Sequence, residues 1–174
     1  MKSRVYFEEE QKMDSWWLRI MVMLISVAAL MPVYYGLVSQ LIFGEPWGNE
    51  PMPDAGLIVL AIVVTVVTAG VMFMIFASRL VTKVLPEGIH INYFPFFRDR
   101  LIRKERIERY AVRKYKPLIE YGGWGVRYSL KRGRVYNASG NMGMQLFLKD
   151  DKKILIGTQR PEAFKRAMDK LMSV

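Results

Sequence analysis

Cysteine is absent from this chain of 174 residues, and histidine occurs once, at His90. The first absence excludes disulfides, thiolate metal ligands and cysteine nucleophiles. The second leaves no imidazole pair for a zinc site. Charge is missing from two long stretches. Leu18 to Phe43 holds only Arg19, at its start, and Ala55 to Ser78 holds none. Lys and Arg are missing from the connection between them, 44–54, which carries Glu45, Glu50 and Asp54.

Each apolar stretch exceeds the ~20 residues that a helix needs to cross a bilayer core. Two membrane spans joined by a short outer loop are therefore expected. Basic residues flank the pair on its outer sides: Lys2, Arg4 and Lys12 before it, Arg79 and Lys83 after it. Lys and Arg near span ends favour the cytoplasm, so both termini are expected there and the loop outside. Trp16, Trp17 and Trp47 suit the headgroup level, and Arg19 can snorkel to it. The first stretch is too long for a signal-peptide core and lacks a small-x-small cleavage pattern after it, which points to a retained anchor.

The spans carry no ionisable group at mid-depth, the usual mark of a transport pathway. Pro32 is expected to kink the first helix. Ala61, Thr65 and Ala69 make a small-residue face suited to packing on the first span. Tyr34 and Tyr35, near mid-span, are expected to face protein.

The chain carries a formal net charge of +10, and its distribution is uneven. From Arg79 onward 22 Lys and Arg face nine acidic residues, a net of +13 against −3 before that point. Such charge suits anionic lipid or nucleic acid. Next to a membrane anchor, lipid is the better match and nucleic acid is not expected as a partner.

The basic part reads as strands followed by a helix. Ile89, Ile91 and Tyr93 alternate with polar residues; Arg98 to Arg103 and Ile107 to Lys116 follow, the latter ended by Pro117. After Gly122-Gly123, the alternation of Trp124, Val126, Tyr128 and Leu130 with Gly125, Arg127, Ser129 and Lys131 predicts a half-buried strand with the first set inward. Arg134 to Ala138, Met144 to Lys149 and Lys153 to Thr158 complete seven strands, with Asp150-Asp151 as a hairpin turn. From Pro161 the period changes. Phe164, Ala167, Met168 and Leu171 form an apolar helical stripe.

The segments Gly122-Gly123-Trp124-Gly125-Val126-Arg127, Tyr136 to Gly140, Gly143 to Lys149 and Ile154 to Glu162 resemble bacterial pleckstrin-homology-like domains, above all those attached to a two-helix membrane anchor. The resemblance implies a seven-stranded bent β-barrel capped by a C-terminal helix, and brings no ligand and no catalytic residue. The expectation is thus an α+β membrane protein of the bacterial inner membrane. It has a cytoplasmic segment 1–17, a two-span transmembrane helical hairpin 18–80, and a cytoplasmic domain 81–174.

Catalytic constellations are not legible. His90 reads as a partly exposed strand residue. Glu8-Glu9-Glu10 reads as a solvated face. The glycines match no phosphate-binding pattern, so turns explain them. No metal, cofactor or enzymatic activity is expected. The candidate contact residues are Arg98, Arg100, Arg103, Lys104, Arg106 and Arg109, with Arg127, Lys131, Arg132 and Arg134 as a second basic cluster. Their expected partner is an anionic headgroup or an acidic protein surface. The function expected is that of a scaffold or accessory subunit, assembling with itself or with a membrane protein complex. The alternative is a module that senses anionic lipid.

Overall fold

The computed structural model describes residues 4–13 and 16–173. The chain divides into two compact units, one spanning Ser15–Phe76 and the other combining Met1–Asp14 with Ala77–Val174.

The first unit is a helical pair, α1 (Trp16–Leu41) and α2 (Asp54–Phe76), of 26 and 23 residues. Both are long and apolar enough to cross a membrane. At 1.5 Å per residue they measure about 39 and 35 Å. The helices run antiparallel: the Arg19 guanidinium lies 5.7 Å from the Phe76 ring at one end, and Gln40 Nε2 donates to Asp54 Oδ1 at the other, 2.6 Å away. Val22, Ser26, Val33 and Gly36 of α1 are buried, as are Leu57 and Ala61 of α2. Trp47 packs on Gly36, where a Cβ would come within 2.6 Å of the indole. Thr65 meets the Tyr34 hydroxyl at 2.9 Å. Two expectations need correcting. Ala69 is exposed rather than part of the interface, and Tyr35 points away from the pair, 67% exposed. At helical spacing Ala61 and Thr65 share a face with Leu57, and beyond Thr65 the partly buried positions are Thr68, Met72 and Ile75 rather than Ala69.

Among the described residues the second unit holds nine strands, where the pattern predicts seven. β1 (Phe7–Lys12) precedes the helical pair, and β2 (Arg79–Leu85), β3 (Gly88–Phe94) and β4 (Phe97–Arg103) follow it. Together they form one antiparallel sheet in the order β1-β2-β3-β4. β5 (Ile107–Lys114), β6 (Gly125–Ser129), β7 (Gly133–Asn137), β8 (Met142–Leu148) and β9 (Lys153–Gly157) form a second sheet, in the order β5-β8-β9-β7-β6. Short α3 (Pro117–Tyr121) bridges β5 and β6, and α4 (Pro161–Met172) ends the chain. No strand pairing joins the two sheets among the described residues, so the architecture is two sheets and a helix rather than a closed barrel.

The two additional strands come from stretches that looked like surface. In β1 the buried positions are Phe7, Glu9 and Gln11, so the alternation is hidden because two of its three inward side chains are polar. Glu8 and Glu10 are exposed, but Glu9 is buried and hydrogen bonded. The segment expected to stand apart as 1–17 is therefore split: β1 belongs to the sheet unit and Trp16 and Trp17 to α1. Arg79 to Leu85 pairs with β1 on one side and β3 on the other.

The core lies between the sheets and under α4. Leu80, Val84, Ile89, Ile91 and Tyr93 meet Tyr136, Met144, Leu146 and Ile156, and Phe164, Met168 and Leu171 close the layer. Phe7 stacks on Phe164 with ring centroids 4.8 Å apart. Tyr93 donates to the Asn137 carbonyl at 2.9 Å, tying the first sheet to the second. Burial, and then neighbouring Tyr115, push the Tyr93 phenol far above its ordinary range, so it remains a donor.

The face predicted for Trp124, Val126, Tyr128 and Leu130 is not a core face. Trp124 and Val126 are half-buried, Tyr128 is 65% exposed and Leu130 is 92% exposed. β6 is the outermost strand of its sheet, and Leu130 lies in the turn beyond it. Only the first half of the strand has core to cover.

Candidate anion-binding cavity

β4, the β6–β7 hairpin and the β8–β9 hairpin line an open cavity of about 690 Å³. Arg100 comes from β4, Lys131 and Arg134 from the β6–β7 hairpin, and Lys152 and Lys153 from the β8–β9 hairpin. Arg106 enters from the 3-10 turn Lys104–Arg106. Six cations thus converge on one concavity. The carboxylates there are Asp151 in the lining and Asp150 beside it.

Backbone conformation sets the spacing of these charges. Gly133 has φ +80, and a Cβ there would sit 2.1 Å from the Lys153 carbonyl oxygen. Only glycine allows β7 to come this close to the start of β9. The two strands then pair in parallel, with Arg134 opposite Ile154. The β8–β9 turn closes by Asp151 N–H donating to the Leu148 carbonyl at 3.1 Å, which sets Lys152 and Lys153 on the cavity side.

Two of the cations are already engaged. Asp150 Oδ2 accepts from Lys152 at 2.7 Å and from Arg106 at 3.0 Å. The Lys152 hydrogen bond, more than the Arg106 charge, holds the Asp150 carboxyl below its usual range. Arg100 rests 5.8 Å from the centre of the Tyr136 ring. Arg100, Lys131, Arg134 and Lys153 make no ion pair among the described residues. Four uncompensated cations around a concavity focus positive potential into it and favour an anionic occupant. Guanidinium groups hold carboxylate or phosphate by paired N–H donors. Tyr128 and Leu130 add an apolar lip.

Of the residues expected from sequence, the cavity gathers Arg100 and Arg106 with Lys131 and Arg134, joining two clusters about 30 positions apart in the chain. It does not gather the rest. Arg98 and Arg103 are exposed on β4, outside the lining. Lys104 lies beside the β2–β3 turn, its N–H donating to the Glu87 carbonyl. Arg109 stands over the Phe147 ring at 3.9 Å. Arg132 pairs with Glu120, and Arg127 bonds the Trp124 carbonyl. Lys152 and Lys153 were missed: the Asp-Asp-Lys-Lys run reads as a turn, and nothing in it shows which sheet edge the turn will face.

Sheet register also fixes where the cavity lies along β4. Arg100 pairs with Ile91 and Ile102 with Ile89, which in turn oppose Thr82 and Val84. The cavity is therefore displaced toward the β2–β3 turn, away from the strand end carrying Lys12 and Arg79. β2's seven residues cover about 20 Å.

His90, the single histidine, has Nδ1 2.6 Å from Asp99 Oδ1 and Nε2 3.1 Å from Glu87 Oε1. It ties β3 to β4 outside the cavity. No group of three potential metal ligands occurs among the described residues. Comparison with protein-family models, with curated proteins and with solved structures returns no match to this chain.

Proposed function

We propose that this chain is a non-enzymatic adaptor of the bacterial inner membrane. In this reading α1 and α2 anchor a pleckstrin-homology-like domain at the cytoplasmic face, and its basic cavity takes an acidic segment of a membrane protein partner. The observation that carries the reading is the convergence of six cations on one concavity.

Three further features support it. The outer faces of the helical pair expose large apolar side chains, with Leu24 and Val66 each 65% exposed, which water would penalise and lipid would not. The sheet unit runs as the antiparallel β1-β2-β3-β4 sheet, then the five-stranded β5-β8-β9-β7-β6 sheet, then α4, a strands-then-helix order that supports the resemblance. The cavity is also displaced from the strand end where the chain continues into α1 and α2, a placement that suits a protein ligand approaching from the cytoplasm.

A second reading has its own support. Tyr128 and Leu130 beside the cations would suit an amphiphile with an anionic head, so anionic-lipid sensing is the alternative.

The test is extraction of full-length protein in mild detergent and mass measurement of the intact particle. Wild type is expected to exceed the 20.2 kDa of a single chain and to lose a second protein when Arg100, Lys131 and Arg134 are changed together to Gln. A particle whose mass ignores those changes contradicts the adaptor reading. Co-purified anionic lipid in place of protein, lost in the same variant, selects the lipid reading.

A further inference from the structure

The β3–β4 turn carries an aromatic run, Phe94-Pro95-Phe96-Phe97, at one end of the first sheet. Its base is fixed in the core. Tyr93 is fully buried, and Phe97 packs edge-on against Tyr136 with centroids 5.4 Å apart. Phe96 touches Tyr93 edge-on at 5.4 Å yet remains 46% exposed. A large apolar ring is thus presented on a rigid support.

Register tells which end of the sheet this is. Phe94 pairs with Arg79, and Arg79 with Lys12. Lys12 is the last residue of β1 before α1, and Arg79 is the first of β2 after α2. The aromatic turn therefore shares its strand end with both connections to the apolar helices. From Phe76 to Arg79 the chain can stretch about 10 Å at most. If α2 crosses a bilayer, its end lies at the headgroup level, and this strand end cannot leave that level by much more. Lys12, Arg79 and Arg98 surround the turn and are exposed. Apolar rings flanked by cations suit the boundary between acyl chains and anionic headgroups.

We propose that the Phe94–Phe97 turn is a third point of membrane attachment, with Phe96 seated in the headgroup layer of the bilayer that holds α1 and α2. It rests on the membrane-spanning reading of the helical pair. The consequence is local: the docked turn holds this strand end at the bilayer surface. Its occupant is lipid, not a protein partner.

The absence of native cysteine makes the test clean. Full-length protein in lipid nanodiscs containing anionic phosphatidylglycerol carries one bimane label, placed through Val66→Cys, Arg98→Cys or Glu105→Cys. Nitroxide-bearing lipids quench from shallow or deep positions. The label at 66 is expected to be quenched by deep nitroxides, and that at 98 by shallow ones. The label at 105 is expected to be untouched. Phe96→Asp, added to the protein labelled at 98, is expected to abolish its quenching. If 66 is quenched and 98 behaves as 105 does, the attachment is overturned while the spans stand. If Phe96→Asp leaves quenching at 98 intact, the tether alone holds it there and the role of Phe96 is overturned. If 66 is not quenched, the spanning reading fails and the attachment fails with it.

Discussion

Glu9 and Thr158 lie 149 positions apart in the chain, yet Thr158 Oγ1 donates to Glu9 Oε2 at 2.6 Å in the buried interior. The other oxygen of Glu9 accepts from the Gln159 N–H at 2.8 Å, and Gln11 Nε2 donates to the Gly157 carbonyl at 2.7 Å. The strand before the helical pair is thereby sealed to the end of β9 and the entrance of α4. Glu9→Ala strands a buried hydroxyl and a backbone N–H, at a cost of about 1–3 kcal/mol. Thermal unfolding of the full chain in detergent should show it. Removing residues 4–12 also strips Phe7 from Phe164 and is expected to abolish cooperative unfolding of the sheet unit.

The inward stripe of α4 and the outward end of β6 should respond oppositely to truncation. Phe164 is fully buried, and Phe164→Ala is expected to cost about 3–5 kcal/mol. Leu130 is 92% exposed, and Leu130→Ala should stay within about 0.5 kcal/mol of wild type. Chemical denaturation midpoints of the two variants measure the contrast.

That contrast marks the limit of what the sequence shows. The α4 stripe was legible because helical spacing and burial agree at Phe164, Ala167, Met168 and Leu171. The β6 alternation was as regular, but period alone does not reveal that a strand is the last in its sheet. β1 was hidden for the opposite reason, because its inward Glu9 and Gln11 are polar and buried through hydrogen bonds. At the candidate site, Arg100 and Arg106 could be named from charge density. Their meeting with Lys131, Arg134, Lys152 and Lys153 depends on the parallel pairing of β7 with β9, a long-range contact without a local signal.

Glu120 holds α3 to β5 and to the β6–β7 turn. Its carboxylate accepts from Arg113 Nη1 at 2.8 Å and from the Lys116 N–H at 2.8 Å, and it pairs with Arg132. Burial works to raise this carboxyl, but those donors and charges outweigh it and hold the group below the usual carboxylate range. A depressed carboxyl contributes stability that is present in full above the unfolded value and lost as pH falls through the lower folded value. Wild type should therefore exceed Glu120→Gln in melting temperature near pH 7. The two curves should converge as pH falls through the lowered folded value and Glu120 becomes protonated.

Topology can be read with single cysteines introduced into a chain that has none. A cysteine at Asn49, in the loop between the helices, is expected to react with an impermeant thiol reagent added to intact cells. One at Lys149, exposed in the sheet unit, is expected to react only after permeabilisation. The opposite pattern would falsify the orientation set by the flanking basic residues.

The basic cavity is tested most directly by binding of a fluorescent oligoglutamate peptide to full-length protein in nanodiscs of zwitterionic lipid, followed by fluorescence anisotropy. Binding is expected, and it should weaken as salt rises. Changing Arg100, Lys131 and Arg134 together to Gln is expected to weaken it roughly tenfold or more, which is about 1.4 kcal/mol. Changing Arg109 to Gln, outside the cavity, should leave it unaltered. Equal binding by wild type and the triple variant, or no binding by wild type at low salt, would contradict the cavity's assignment as the acidic-partner site.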